Sequence, residues 1–115
     1  MFNHEKLDVY RMAVQFDAML CRTLPKRGFR ALRDQIERAS GSVMACIAEG
    51  AGRWPPAEKR HFYGIARGSA TECAAHLDAL LNRRLISRQH SDDSRSLLLS
   101  IVRILSKLSE PRSEP

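Results

Sequence analysis

Apolar residues recur along most of this chain at intervals of three and four, a spacing that places their side chains on one face of an α-helix. Clusters of proline, glycine and other turn-forming residues interrupt the pattern near residues 25–28, 50–56 and 87–91. No stretch sustains an alternation of apolar and polar residues, so the sequence predicts no strand. The pattern predicts an all-α domain at residues 1–110, with four helices at about 5–24, 29–49, 55–85 and 92–109.

Each predicted helix has one stripe of residues that we expect to be buried, because four helices with short connections pack most simply as an antiparallel up-down four-helix bundle. In chain order the stripes comprise Leu7, Tyr10, Val14 and Phe16; Phe29, Leu32, Ile36, Ala39, Val43 and Ile47; Phe62, Ile65, Ser69, Cys73, His76, Leu77 and Leu80; and Leu97, Leu98, Ile101, Leu105 and Leu108. We expect Gly50 and Gly52 to end the second helix, and Ser91 to cap the start of the fourth. The polar tail at 111–115 is expected to fray.

The second and third helices also present small residues on the side opposite their buried stripe. A glycine inside a helix costs about 1 kcal/mol relative to alanine, and close approach of another helix is one reason for its presence. Since four helices already complete a core, the sequence predicts that this surface joins the subunits of a homo-oligomer. The alternative is that the glycines are merely tolerated on an exposed surface. The predicted interface residues are Arg38, Gly41, Ala45, Gly64, Arg67, Gly68 and Thr71.

Composition places the chain among folded proteins of one domain: 115 residues, 43% hydrophobic and 28% charged. No run of about eighteen apolar residues predicts a membrane-spanning helix, and the first residues lack the apolar segment of a signal peptide. Three widely spaced cysteines, Cys21, Cys46 and Cys73, do not predict a disulfide framework. We therefore expect a cytoplasmic protein with no membrane partner.

Positive charge is the strongest functional signal, with 19 Lys and Arg against 13 Asp and Glu and a formal net charge of +6. In an up-down bundle the first and third connections lie at the same end. That end gathers eight cations, here called the basic end: Arg22, Lys26, Arg27, Arg30, Arg33, Arg83, Arg84 and Arg88. Such a surface neutralises phosphates, which predicts a partner such as RNA, DNA or a nucleic-acid enzyme; the alternative is a solvated end that binds nothing. Phe29, the one aromatic residue beside it, is assigned to the core, so base stacking is not predicted.

Three segments carry a family resemblance. LRDQIERASGSV at 32–43 and IAEGAGR at 47–53 form one long motif, IARGSATE at 65–72 forms a second, and LDVY at 7–10 fits the start. Together they resemble the signatures of four-helix bundle proteins first noticed as open reading frames in intervening sequences of bacterial 23S rRNA genes. The signature residues of this chain are Gln35, Arg38, Glu49, Gly50, Gly52, Arg53, Gly68, Ser69 and Glu72.

The resemblance covers nearly the whole chain and implies a bundle that assembles as a homopentamer, with no enzymatic activity established for the family. A related accessory protein of diversity-generating retroelements uses a pentameric, positively charged barrel to bind a reverse transcriptase and nucleic acid. This chain departs from the family at Cys46, where asparagine is usual, and at 54–58, where a Ser-x-x-Glu cap is usual. From the folding-back of the third helix on the second, we expect Glu72 to contact Gln35 or Arg38, within that pair or across subunits.

Patterns of catalytic or metal-binding residues are weak. The same folding-back sets Glu49 and Glu72 far apart, so they do not form an acid–base pair. A di-metal site in a helical bundle needs two Glu-x-x-His motifs, and the chain has one. Two further potential ligands, Cys73 and His76, lie on a core stripe. We expect no enzymatic activity, cofactor, metal or small-molecule substrate.

These observations together predict a non-enzymatic, homo-oligomeric helical scaffold that binds a polyanion through its basic end. The first alternative is a structural or protein-interaction ring with no nucleic-acid role. An enzyme is the more distant alternative.

Overall fold

The computed structural model describes residues 3–111, and in this range it contains four α-helices, one short 3-10 helix and no strand. The 3-10 helix covers Asn3–Lys6, and the α-helices are α1 (Asp8–Thr23), α2 (Arg30–Gly52), α3 (Pro56–Asn82) and α4 (Arg88–Ser109). The predicted all-α fold with four helices is confirmed. Of the tail predicted to fray, residues 112–115 lie outside the described residues.

The helices surround a single core. α2 and α3 make the most extensive contact, α3 and α4 the next, and α1 packs against α2 and α4, in a particle of 50 × 27 × 21 Å. Within residues 3–111 each helix therefore has two helical neighbours, the arrangement of a four-helix bundle. The most deeply buried side chains come from all four helices: Phe16, Leu20, Ile36, Ile47, Leu77, Leu80, Leu98, Ile101 and Leu105.

Four residues assigned to buried stripes are exposed instead, namely Val14, Phe29, Ile65 and Leu108, with exposed fractions of 42%, 53%, 40% and 36%. Phe29 is wrongly assigned because α2 begins one residue after it. Its backbone is left-handed, with φ of 50°, so the side chain does not continue the stripe of α2.

The stripe of α3 is wrong in its N-terminal half. In place of Phe62, Ile65 and Ser69, the buried residues each lie one position later: Tyr63, Ala66 and Ala70. The small side chains of Ala66 and Ala70 let α3 approach the core closely, and Tyr63 packs against Gly50 of α2, where a Cβ would lie 2.8 Å from Cε1 of the ring. From Cys73 onward the predicted core residues Cys73, Leu77 and Leu80 are confirmed, whereas His76 is partly exposed.

Two helix ends also differ from the prediction. α2 ends three residues later than predicted: Gly50 lies inside the helix, Gly52 is its last residue, and the backbone turns extended at Arg53, before the prolines. The cap of α4 is Ser87, whose Oγ accepts a hydrogen bond from the backbone N–H of His90 at 3.1 Å. Ser91, the predicted cap, is buried inside the first turns of α4.

Candidate nucleic-acid interface

The basic end is built from two connections, 24–29 and 83–87, and from the helix ends that flank them. Each connection is anchored by one buried apolar residue, Leu24 in the first and Ile86 in the second. A groove of about 520 Å³ between α1 and α4 is lined by both Arg22 and Asp93, which places the end of α1 beside the first turns of α4. The structure thus brings Arg22 close to the segment that begins with Arg88.

Connection 24–29 holds two successive residues in the left-handed region, Gly28 with φ of 73° and Phe29 with φ of 50°. Arg33 fixes this turn from α2, since its Nε donates a hydrogen bond to the carbonyl oxygen of Gly28 at 2.9 Å. The turn leaves Lys26, Arg27 and the ring of Phe29 exposed to solvent. One cation of the basic end, Arg33, therefore orders the loop that presents the others.

Connection 83–87 has a similar character. Arg84 is left-handed, with φ of 59°, and the N–H of Leu85 bonds to the carbonyl oxygen of Leu80 at 2.9 Å, which closes the end of α3. Arg83 donates from one guanidinium nitrogen to the carbonyl oxygen of Ala79 at 3.1 Å. Arg83, Arg84 and Arg88 are all exposed.

Ion pairs are almost missing from the basic end. Among the described residues, only Arg30 of its eight cations has a carboxylate within 4.0 Å, at 3.8 Å from Asp34. Three carboxylates lie nearby in sequence, on Asp34, Asp92 and Asp93, and the last accepts a hydrogen bond from the amide of Gln89. Eight cations against three carboxylates leave a positive surface, and most of its charges have no acidic partner among the described residues.

The connection 53–55 joins the end of α2 to the start of α3. Together with Glu49, Glu58 and Lys59 it forms what we call the hairpin end. Arg53 binds Glu49 at 3.1 Å and Glu58 at 3.3 Å, and its guanidinium carbon lies 4.8 Å from the centre of the Phe62 ring. Lys59 donates to the carbonyl oxygens of Gly50 and Ala51 at the end of α2. Here the cations are bound by the chain itself, while Trp54 is 92% exposed.

Two further signature residues, Ser69 and Glu72, lie on α3. Ser69 Oγ is hydrogen-bonded to Ser42 Oγ of α2 at 2.9 Å. Oε2 of Glu72 lies 3.0 Å from Nε2 of His76, which is one turn further along α3. Within the described chain Glu72 makes no hydrogen bond or ion pair with Gln35 or Arg38, so the predicted polar contact is not formed within the helix pair.

The predicted oligomer interface is exposed over most of its length. A Cβ added at Gly41 or Gly68 would have no atom within 4 Å, and one at Gly64 would meet only Ser109 Cβ, at 4.0 Å. Arg67 Nε donates to Ser106 Oγ of α4 at 2.7 Å, and Thr71 bonds back to the carbonyl oxygen of Arg67. Nothing within the described chain requires glycine at these three positions.

An apolar groove of about 220 Å³ lies beside this surface, between α3 and α4. Its lining residues are Ala70, Thr71, Ala74, Arg95, Leu98, Leu99 and Val102. Sequence analysis missed Leu99, which is 52% exposed. The signal was the run of leucines at 97–99, because three consecutive positions of a helix cannot all face one core.

The buried cysteine of the core, Cys73, is unreactive. Burial raises the pKa of the Cys73 thiol to about 12, with smaller contributions from the negative charges of Glu72 and Asp17. Across residues 3–111 no three His, Cys, Asp or Glu side chains are grouped so as to hold a metal ion. In the same range no helix has the length and apolar character needed to cross a membrane.

Comparisons with known proteins agree with the four-helix fold. The sequence model of one family, described as 23S rRNA-intervening sequence protein, matches residues 5–107. The structure is similar to the crystal structure of a protein of unknown function from the S23 ribosomal protein family of Bacteroides thetaiotaomicron. The TM-score is 0.77 and the identity 20%, over 90% of this chain and 99% of that one, a likeness that shows the fold alone. No curated protein matches the chain.

Proposed function

The chain belongs to the family of 23S rRNA-intervening sequence proteins, and from this premise we propose that it is a non-enzymatic, homo-oligomeric helical scaffold whose basic end binds a polyanionic partner. The observation that carries the proposal is the lack of ion pairs at that end: seven of its eight cations have no carboxylate within 4.0 Å among the described residues. Cations that fold the protein are normally bound by it, as at the hairpin end.

The proposal includes an antiparallel up-down arrangement of the helices, because the basic end needs the first and third connections side by side. Contacts between helices support this arrangement, since residue numbers rise on one helix of each pair as they fall on the other. The hydrogen-bonded pairs are Ser42–Ser69 and Gly50–Lys59 between α2 and α3, and Arg67–Ser106 and Asp78–Arg95 between α3 and α4.

Self-association is supported by the exposed glycines. Gly41, Gly64 and Gly68 each cost about 1 kcal/mol of helix stability relative to alanine, and no contact among residues 3–111 accounts for them. The apolar groove at Thr71 and Leu99 adjoins the same surface of α3 and would be covered in an assembly. The resemblance to the family favours five subunits, which would place five basic ends around one axis.

An assembly strengthens the electrostatic part of the proposal. A phosphate polymer that contacts several basic ends at once releases more counterions than one that contacts a single subunit. Binding is therefore expected to be strong at low salt and to weaken steeply as salt is raised. A long nucleic acid is also able to reach basic ends on neighbouring subunits, which a small anion is not.

The test is the mass in solution, measured by light scattering on a sizing column, with and without a generic structured RNA at low and high salt. We expect a mass near five protomers that grows with RNA only at low salt. A five-protomer mass indifferent to RNA would replace the proposal with a protein-interaction ring. A monomeric mass would contradict both the assembly and the role of the glycines.

Substitution of Gly64 and Gly68 by leucine tests the assembly separately. Two bulky side chains on the exposed face of α3 should break the oligomer and leave a helical monomer, which light scattering and circular dichroism would detect. Ala57→Leu is the matched control, because Ala57 is exposed in the first turn of the same helix but lies outside the proposed surface. An unchanged mass for the double variant would remove this surface from the interface.

A further inference from the structure

Phe29 lies in the middle of the basic end, and the fold does not account for it. Its side chain is 53% exposed, and it is neither in the hydrophobic core nor among the partly buried residues that pack against the core. Its neighbours in the chain are Lys26 and Arg27 on one side and Arg30 on the other, all exposed. An aromatic ring is thus presented to solvent among cations.

The backbone at this position makes phenylalanine a costly choice. With φ of 50° and ψ of 38°, Phe29 is left-handed, a conformation that glycine or asparagine adopts more readily than a residue with a bulky side chain. Phe29 also precedes α2 without a side-chain cap, where Ser, Thr, Asp or Asn would stabilise the helix. Neither the turn nor the helix start favours an aromatic side chain here.

The loop nevertheless fixes the backbone that carries the ring. The hydrogen bond from Arg33 Nε to the carbonyl oxygen of Gly28 fixes the residue before it, and the N–H of Arg33 bonds to the carbonyl oxygen of Phe29 at 3.1 Å. The backbone of Phe29 is therefore fixed while its ring is exposed. An exposed aromatic ring surrounded by cations is the combination that binds single-stranded nucleic acids.

We propose that Phe29 stacks on an unpaired base of a single-stranded nucleic acid while the cations beside it bind the flanking phosphates. The inference rests on the proposed function and narrows its partner class. A base within a duplex is stacked between its neighbours and has no free face for the ring, whereas a base in a single strand or loop has one. RNA and DNA share this chemistry, because every base has an aromatic face.

Trp54 provides a matched control within the same molecule. Its side chain is 92% exposed in the connection 53–55, so it is at least as accessible as Phe29. The adjacent cation, Arg53, is bound to Glu49 and Glu58 and is therefore not free to hold phosphates. Stacking alone should not bind a strand at the hairpin end.

The experiment measures affinity by fluorescence anisotropy, using the full assembled chain and three labelled probes at low salt. The probes are an unstructured uridylate RNA of about 20 nucleotides, a thymidylate DNA of the same length, and an RNA duplex of the same length. For Phe29→Leu we expect about a 5- to 100-fold loss of affinity for the single strands, with duplex affinity unchanged. Phe29→Tyr should restore binding, and Trp54→Leu should bind like the unmodified chain.

Direct evidence for stacking comes from a probe that carries one 2-aminopurine, whose fluorescence is quenched when it stacks. The inference is supported if the unmodified chain quenches this fluorescence and the Phe29→Leu variant does not. A merely structural role of the ring would not produce quenching. A loss confined to the RNA or the DNA probe would support it as well and identify the nucleic acid.

Three results would overturn the inference. One is an unchanged single-strand affinity in Phe29→Leu, and another is an equal loss for single strands and duplex. The third is a change in oligomer mass, which would assign the ring to a contact between subunits. If the unmodified chain binds single strands and duplex alike and Phe29→Leu changes neither, the inference alone fails. If it binds none of the probes, the proposed nucleic-acid function fails with it.

Discussion

At the hairpin end Arg53 is bound to Glu49 and Glu58, whereas at the basic end Arg27 and Arg84 have no carboxylate within 4.0 Å among the described residues. Both ends consist of short connections between long helices, and both expose an aromatic side chain. They differ in whether the chain satisfies its own positive charges. Arg53 and Lys59 at the hairpin end bind groups of the chain itself, whereas most cations of the basic end have no carboxylate partner, as the proposed binding of a polyanion requires.

This difference changes the meaning of the net charge. A formal charge of +6 on 115 residues is compatible with a solubilising surface spread over the whole protein. In the structure seven of the eight cations of the basic end have no carboxylate within 4.0 Å among the described residues, whereas Arg53 at the hairpin end is paired with two acids. Substitutions at the two ends should therefore separate stability from binding.

The largest expected effect comes from reversing the free charge. Changing Arg27, Arg30, Arg83 and Arg84 to glutamate should lower the affinity for RNA or DNA by about a thousandfold or more, since attraction to phosphates becomes repulsion on every subunit. Oligomer mass should not change. The measurement is a gel shift or anisotropy titration at low salt, with thermal melting to check the fold.

The control for this variant reverses charge elsewhere. Arg103 and Lys107 are exposed on the opposite half of α4 and have no carboxylate within 4.0 Å among the described residues. Changing both to glutamate should leave most of the affinity intact. Binding that survives in the fourfold variant would place the contact surface away from the basic end.

A smaller effect is expected from packing at the hairpin end. Gly50→Ala should lower the free energy of unfolding by about 1 to 3 kcal/mol, because its Cβ would meet the buried ring of Tyr63. Gly52→Ala is the control, since nothing lies within 4 Å of the added atom and the change should stay within about 1 kcal/mol. Chemical denaturation measures the free energy of unfolding of both variants. Equal values would show that the Tyr63 ring moves aside freely.

The smallest expected effects come from single arginines, one at each end. Arg53→Ala should cost about 1 kcal/mol of stability or less, because its ion pairs and its contact with the Phe62 ring are half exposed. It should leave nucleic-acid affinity unchanged. Arg27→Ala should do the reverse, weakening binding while leaving the melting temperature nearly constant. If both variants altered the same property, the contrast between the ends would not hold.

The sequence alone predicts most of the fold. Periodicity correctly locates four helices and most of the core, including Ile36, Ile47, Leu77 and Ile101. It fails along the first half of α3, where stripes through Ile65 and through Ala66 have the same period. The choice between them depends on how closely α2 approaches, which is a tertiary property and not a local preference.

The candidate site is less predictable than the fold. Grouping the cations requires only the order of the helices, so the sequence already places them together. Phe29 is misassigned because periodicity extends its stripe one residue before α2, and the sequence does not specify the left-handed backbone at that point. Gly28 was the available signal, since a glycine next to a helix start often marks a turn.

The extensive contact between α2 and α3 bears on the order in which the chain folds. Only residues 53–55 separate these helices, so bringing them together restricts little of the chain, while α1 and α4 meet only when distant segments come together. We expect the α2–α3 pair to form early and to protect its amide protons from exchange longest. α1, the shortest of the four at 16 residues, should open first. Because α1 carries Arg22, each such opening would also move part of the surface that we propose binds a polyanion.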